Sequence, residues 1–170
     1  MPHHRPLALV TGATRGIGAA VAAALADQHD LLIGGRDPAA VRAACARIGP
    51  DTAAAFAVDL TDHPAVATAV RGIERLDVLV HSAGVGVLGT VAETDVDTWR
   101  RQFEVNVVAV AELTRLLLPA LRAASGRVVL INSGAGLEAR PGWASYAASK
   151  FALRAFADAL RAEELAHGVR

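Results

Sequence analysis

Short apolar segments alternate along the chain with longer segments in which apolar residues recur every three or four positions. The short segments are apolar throughout, a pattern typical of strands that are buried on both faces of a parallel sheet. They predict strands over residues 7–10, 30–35, 53–58, 77–81 and 127–131. The longer segments predict helices over residues 17–25, 38–48, 62–71, 97–124 and 145–167. The apolar face of the first helix is expected to hold Ile17, Ala20, Val21, Ala24 and Leu25. The fourth helix is expected to bury Trp99, Phe103 and Val107 in the core.

This alternation predicts an α/β fold in which a doubly wound parallel sheet is covered on both faces by helices. No repeat, low-complexity segment or linker divides residues 1–170, so they are expected to form a single domain. In such sheets, ligands bind beyond the carboxyl ends of the strands. The residues that follow the predicted strands at this edge are Thr11-Gly12, Arg36-Asp37, Asp59, Ser82-Ala83-Gly84 and Asn132-Ser133-Gly134. Each group alone could simply form a turn, but together they predict a ligand site.

The first of these turns is rich in glycine and joins the first strand to the first helix. Gly12, Gly16 and Gly18 allow a sharp turn where side chains would collide or φ must be positive. Such a turn leaves the first N–H groups of the helix unpaired at the positive end of its dipole, where they can bind phosphate. The alternative is a tight turn that needs glycine and binds no ligand.

Charge, cysteine content and the N-terminal sequence limit the expected partners, redox compartment and location of the protein. The 17 basic residues balance the 17 acidic residues, so no net charge directs the chain to nucleic acid or to an anionic membrane. The single cysteine, Cys45, excludes an internal disulfide and fits a reducing compartment. Arg15 interrupts the N-terminal apolar segment too early for a signal peptide or a membrane span. His3 and His4 lack further ligands at metal spacing, so no metal site is expected. The protein is expected to be soluble and cytoplasmic.

Two motifs together resemble those of the short-chain dehydrogenase/reductase family. The stretch Thr11-Gly12-x-x-x-Gly16-x-Gly18 matches the glycine motif of that family. The stretch Tyr146-x-x-x-Lys150 matches its catalytic motif, with Ser133 thirteen positions before the tyrosine and Asn106 on the long helix. The resemblance extends from Leu7 onward and implies a Rossmann-like fold that binds NAD or NADP.

The resemblance also implies which residues bind the cofactor. Asp59 and Leu60 match the pair that holds the adenine, whereas His81 and Ser82 stand where the family usually has two asparagines. The implied cofactor-binding residues are Gly12, Thr14, Arg15, Gly16, Ile17, Gly18, Arg36, Asp59, Leu60, Ser82, Ala83, Gly84, Tyr146 and Lys150.

The catalytic motif has a chemical rationale of its own. Tyr146 and Lys150 are four residues apart on a helix and share one face, where an ammonium favours the phenolate form of a tyrosine. Tyr146 is expected to exchange a proton with the substrate oxygen while hydride moves to or from the nicotinamide. Ser133 is expected to hydrogen-bond the same oxygen, so Ser133 and Tyr146 also bind substrate. The resemblance implies that Lys150 grips the nicotinamide ribose and that Asn106 holds a water linking the lysine to solvent. The predicted catalytic residues are Asn106, Ser133, Tyr146 and Lys150.

Two arginines indicate which cofactor is preferred. Arg36 ends the second predicted strand, where members of the family that bind NAD usually have an acidic residue. Arg15 precedes the second glycine of the turn and adds another cation. Two guanidinium groups suit the 2′-phosphate of NADP(H), which is therefore favoured over NAD(H). The neighbouring Asp37 would reverse this preference if its side chain turned inward.

The sequence therefore predicts an NADP(H)-dependent oxidoreductase that interconverts a small-molecule alcohol and a carbonyl. The alternatives are a non-catalytic NADP(H)-binding regulator or partner protein, and an inactive, C-terminally shortened fragment. The last alternative arises because family members normally enter a sixth strand near Arg170, so the usual last two strands are expected to be lacking. The resemblance further implies a homodimer or homotetramer.

Overall fold

The computed structural model describes residues 5–170, and the predictions made for His3 and His4 lie outside the described residues. The elements are β1 (Leu7–Val10), α1 (Gly16–Leu25), β2 (Asp30–Gly35), α2 (Pro38–Ile48), β3 (Ala53–Ala57), α3 (His63–Ala69), β4 (Val78–His81), α4 (Val96–Phe103), α5 (Ala109–Ala124), β5 (Arg127–Leu130) and α6 (Ala144–Glu164). Asp37, Asp62 and Asp95 cap α2, α3 and α4, because each carboxylate accepts a backbone N–H of the first helical turn.

The five strands form one parallel sheet in the order β3-β2-β1-β4-β5. Successive strand residues point to opposite faces, and each face is covered by helices. On one face, Leu9 and Leu79 belong to a core cluster with Leu113 of α5. On the other face, Ile33 belongs to a cluster with Val41 of α2. The predicted doubly wound α/β fold is confirmed, and the strand order reverses at β1, between β2 and β4.

The predicted long helix is interrupted. A π-helical segment, Glu104–Val108, joins α4 to α5, so the prediction of one regular helix over residues 97–124 is wrong there. The residues of this region that point inward are polar, because Gln102 and Asn106 are 0% and 1% exposed. Trp99 and Phe103 are only partly buried and stack on each other with ring centroids 6.3 Å apart. The expectation that Trp99, Phe103 and Val107 form core is therefore wrong: all three are only partly buried, because this part of the chain packs on α6 and on loop backbone.

The apolar face assigned to α1 also needs correction. Ile17 is 63% exposed and Ala20 is exposed, whereas Gly18 and Ala22 are buried. This helix is rich in alanine and apolar on all sides, so its hydrophobic pattern does not define the inner face. The close contact of Gly18 with the carbonyl of Gly12 sets the orientation of the helix instead.

The outer edge of β5 pairs with Arg170. The Val128 N–H donates to the Arg170 carbonyl at 2.7 Å, and the Arg170 N–H donates to the Gly126 carbonyl at 3.0 Å. Val169 is buried in the same cluster as Leu121. Within residues 5–170, no helix has both the length and the apolar composition needed to cross a membrane.

An ion pair joins the ends of α5 and α6. Arg122 donates from Nε and Nη2 to the two carboxylate oxygens of Glu164, at 2.8 and 2.6 Å. The Glu164 side chain is only 3% exposed. The hydrogen bonds from Arg122 lower the pKa of Glu164 below its usual value.

The stability that Glu164 contributes should depend on pH. Because the pKa of Glu164 is lower in the folded than in the unfolded chain, its contribution is fully present above about pH 4.3 and is lost as the pH falls through the folded pKa. We expect the free energy of unfolding of the parent to exceed that of Glu164→Gln at neutral pH, and the difference to shrink in acid. Urea unfolding of both proteins across this pH range measures the difference, and a difference independent of pH would contradict the assignment.

Candidate cofactor-binding and active site

Close backbone contacts determine the shape of the glycine turn after β1. Gly12 has a φ of +63°, and a Cβ on it would lie 2.8 Å from the backbone of Ala83. A Cβ on Gly18 would lie 2.4 Å from the Gly12 carbonyl oxygen. Thr11 ties this turn to the end of β4, because its hydroxyl accepts the N–H groups of Ser82 and Ala83, both at 3.1 Å. The N-cap residue Arg15 makes no side-chain bond to the first N–H groups of α1, which suits them to bind an anion.

A cavity of about 440 Å³ opens beside this turn, where the strand order reverses. Its volume is within the range of small-molecule sites, and its position is the one that the topology predicts. Every predicted cofactor-binding residue other than Tyr146 and Lys150 lines it: Gly12, Thr14, Arg15, Gly16, Ile17, Gly18, Arg36, Asp59, Leu60, Ser82, Ala83 and Gly84. Within residues 5–170, no cluster of three or more potential metal ligands is present.

One end of the cavity carries several charged groups. Arg15 and Arg36 both line it and are exposed. Asp59 accepts the N–H of Thr61 at 3.0 Å and its hydroxyl at 2.8 Å. These hydrogen bonds, with a smaller contribution from the charge of Arg36, lower the pKa of Asp59. Asp37 accepts the N–H of Ala39 at 2.9 Å as the cap of α2, so its carboxylate is directed to the helix terminus.

The residues of the predicted catalytic motif lie on α6, against the end of β5. The Lys150 ammonium is largely buried and donates to the Ile131 carbonyl at 3.1 Å, and burial lowers the pKa of Lys150. Its Nζ lies 6.0 Å from the centre of the Tyr146 ring. Ser133 is in the turn after β5, where its hydroxyl accepts the N–H of Ala135 at 3.1 Å. Ile131 lines the cavity, whereas Lys150 and Tyr146 do not, so the ammonium is bonded to a residue of the cavity lining from behind it.

Asn106 connects three parts of this site. Its Oδ1 accepts the Val85 N–H at 2.9 Å, and its Nδ2 donates to the Val85 carbonyl at 2.8 Å and to the Ser149 hydroxyl at 3.0 Å. The Oδ1 atom and the Nζ of Lys150 lie 3.2 and 3.9 Å from where a Cβ on Gly84 would stand. The glycine thus leaves space between the asparagine and the lysine.

Known proteins match this chain over nearly its whole length. The family model described as short chain dehydrogenase matches residues 6–170. The chain belongs to this family. Its five-stranded parallel sheet and glycine turn are therefore those of a short-chain dehydrogenase, and the family assignment made from the motifs is confirmed.

Individual relatives in this family are longer than this chain. The uncharacterized oxidoreductase YusZ of Bacillus subtilis is 31% identical over 98% of this chain and 62% of its own length. The NADPH-dependent 3-dehydrocapnine reductase of Ornithobacterium rhinotracheale is 40% identical over 71% of this chain and 46% of its own. The crystal structure of a gluconate 5-dehydrogenase from Burkholderia cenocepacia, in complex with NADP and tartrate, has a TM-score of 0.91 at 26% identity and covers 97% of this chain and 68% of its own. The chain spans less than two thirds of both curated relatives.

His81 lies at the end of β4, at the position where the resemblance implied an asparagine. Its Nε2 lies 2.9 Å from the hydroxyl of Thr114, which itself donates to the Val110 carbonyl at 2.8 Å. The hydroxyl proton is thereby used, so Nε2 carries the imidazole proton and donates. Complete burial lowers the pKa of His81 to about 3, so the ring is neutral. The substituted strand end is held to α5 through this bond.

Sequence reasoning did not predict the hydrogen bonds by which several polar residues hold this site together. Asn132 accepts the Ser133 N–H at 2.9 Å and donates to the Lys150 carbonyl at 3.3 Å, which joins the turn after β5 to α6. Ser149 donates to the Tyr146 carbonyl at 2.7 Å. Gln102 bonds both a loop and α6. The only signal for Gln102 in the sequence is a polar amide four positions before Asn106.

Proposed function

We propose that this chain is an NADP(H)-dependent oxidoreductase that interconverts an alcohol and a carbonyl, with Tyr146 as the acid/base. The observation that carries the proposal is the largely buried Lys150 ammonium, which is bonded to the cavity-lining Ile131 and lies one helical turn from Tyr146. A largely buried cation beside a phenol favours the phenolate, which is the form a base needs. The name of the 3-dehydrocapnine reductase, which includes NADPH dependence, also supports it.

The residues would divide the chemistry as follows. When bound, the nicotinamide supplies or accepts the hydride. In the reducing direction Tyr146 gives its proton to the carbonyl oxygen, and Ser133 donates a hydrogen bond that orients the same oxygen. Lys150 stabilises the resulting phenolate and would contact the ribose. Asn106 would use the second lone pair of its Oδ1 to hold the water that links Lys150 to solvent.

The direct test follows the oxidation of NADPH by the chain with a panel of aldehydes and ketones. Turnover that depends on both protein and carbonyl is the expected result. Tight binding of NADPH with no turnover of any carbonyl would favour the non-catalytic regulator instead.

Cofactor preference gives a second test of the proposal. We expect the chain to bind NADPH about tenfold or more tightly than NADH, because hydrogen bonds to charged groups contribute about 1.5–3 kcal/mol and Arg15 and Arg36 both line the cavity. Arg36→Asp should reverse the order by removing a cation and repelling the 2′-phosphate. Calorimetric titration with both cofactors measures the two Kd values.

Arg71→Asp, the same charge change at an exposed position outside the cavity lining, should keep the parent order of affinities. Equal affinities in the parent would contradict the preference.

The proposal also includes the domain organisation, the oligomeric state and the location of the protein. Residues 1–170 belong to one NAD(P)-binding domain that acts on a small molecule. The protein is a homodimer or homotetramer in the cytoplasm. Two apolar side chains support self-association, because Val108 in the π-helical segment and Phe151 on α6 are 42% and 40% exposed. Light scattering of the purified chain determines the oligomeric state, and a monomer at all concentrations would exclude this part of the proposal.

A further inference from the structure

Two buried amide side chains, Gln102 and Asn106, lie four residues apart and make the same kind of connection. Gln102 is 0% exposed. Its Oε1 accepts the Val87 N–H at 3.0 Å, and its Nε2 donates to the Ser145 hydroxyl at 2.5 Å. Because a backbone N–H can only donate, the contact with Val87 fixes which end of the amide faces the serine. Gln102 therefore joins the loop after β4 to the first turn of α6, as Asn106 joins the same loop to the next turn.

The serines that receive these bonds immediately precede the two residues of the catalytic motif. Asn106 bonds Ser149, the residue before Lys150, and Gln102 bonds Ser145, the residue before Tyr146. Both serines are fully or almost fully buried, at 0% and 1% exposed. The two amides thus hold two successive turns of α6 at the points where its proposed catalytic side chains begin.

The two amides also hold the loop after β4 where it contacts the ring of Tyr146. Asn106 fixes the backbone of Val85, and Gln102 fixes that of Val87. Gly86 lies between them, and a Cβ on it would be 3.2 Å from Cε2 and 3.4 Å from Cδ2 of Tyr146. The ring of Tyr146 therefore packs next to Gly86, and the backbone of both neighbours of Gly86 is held by hydrogen bonds with the two amides.

We propose that Gln102 is a positioning residue for Tyr146, acting through Val87 and Gly86 on the ring and through Ser145 on the helix backbone. This inference rests on the proposed function, in which Tyr146 transfers the proton. If Gln102 only satisfied its own buried polar groups, its loss would lower stability without moving Tyr146. A misplacement of about 1 Å near a reacting centre can cost about 10²-fold in rate, so the two roles differ measurably.

Tyr146 is the only tyrosine in the chain, so a spectroscopic signal from tyrosine reports on this ring alone. Labelling tyrosine with ¹³C in the ring gives one set of NMR signals, which needs neither cofactor nor substrate. We expect Gln102→Leu to shift and broaden these signals, since both connections are lost. Ser145→Ala should produce a smaller shift because the bond to Val87 remains, and Ser145→Thr, which keeps the hydroxyl, should restore the parent spectrum.

Glu164→Gln is the matched control, because it removes a buried polar contact at the far end of α6 and should leave the ring signals unchanged. In steady-state kinetics, Gln102→Leu should lower kcat for carbonyl reduction at least tenfold while the KM for NADPH changes less than twofold. Parent-like ring signals in folded Gln102→Leu would overturn the proposal. Should that variant fail to fold, parent-like signals in Ser145→Ala would overturn it equally. A parent without turnover would count against the proposed function only, since the ring signals still test the positioning.

Discussion

Replacing Tyr146 with phenylalanine is expected to lower kcat/KM for carbonyl reduction by about 10²- to 10⁴-fold while leaving the Kd for NADPH nearly unchanged. The phenylalanine ring can still pack against Gly86, which lies in van der Waals reach of the tyrosine ring. The transferable proton is lost with the hydroxyl. Cofactor titration together with steady-state kinetics on the parent and the variant measures both quantities.

Substitutions of Ser133 and Lys150 separate proton transfer by Tyr146 from substrate orientation and cofactor binding. Ser133→Ala should lower kcat/KM less, because it removes a hydrogen bond to the substrate oxygen and leaves the proton source intact. Lys150→Ala should impair both turnover and cofactor binding, since it removes the cation that favours the phenolate and a contact to the ribose. Near-parent turnover in Tyr146→Phe would show that another group supplies the proton, and the assigned mechanism would then be wrong.

Replacing Gly12 with alanine should destabilise the protein and abolish measurable cofactor binding. The new Cβ would be 2.8 Å from the Cα and N atoms of Ala83, and neither backbone can yield without opening the contact between β1 and β4. Overpacking of this kind costs about 1–3 kcal/mol, and the left-handed conformation at φ +63° adds about 1–2 kcal/mol for a residue with a side chain. Urea unfolding measures the loss of stability, and calorimetry measures the Kd for NADPH.

Gly16→Ala is a matched control for the stability measurement. Gly16 has nearly the same φ, +59°, but within residues 5–170 no atom beyond its chain neighbours and its own helix backbone lies within 4 Å of the position of its missing Cβ. This variant should therefore show only the conformational part of the destabilisation, about 1–2 kcal/mol. Equal losses in the two variants would mean that the contact with Ala83 is not what requires glycine at position 12.

The fold and the cofactor cavity could be predicted because their signals are local. A run of apolar residues marks each strand, and the rule for parallel sheets then places the ends of all strands at one edge. The expected burial on both faces is wrong for the two edge strands, since β3 and β5 are partly exposed. Glycine spacing reports directly on a turn that cannot hold side chains, as Gly12 and Gly18 illustrate. The predicted residues around Asp59 and Ser82 consequently line one cavity.

The connections around Tyr146 could not be predicted, since they depend on contacts between distant segments. Nothing near Gln102 in the sequence indicates that its partners are Val87 and a serine 43 positions later. The π-helical segment could not be predicted for a similar reason. Its residues have an ordinary helical pattern in the sequence, and the hydrogen bonds of Asn106 to Val85 and Ser149 join it to distant segments. Apolar periodicity likewise could not identify the inner face of α1, which is apolar all round.

The bond between Lys150 and the Ile131 carbonyl has a consequence for the entropy of cofactor binding. A lysine side chain loses about 1.5–2 kcal/mol of rotamer freedom when it becomes ordered. Here the side chain is largely buried and its ammonium has an acceptor within the protein at 3.1 Å. Folding itself therefore immobilises the lysine, and under the proposed function this ordering would not weaken the Kd for the dinucleotide.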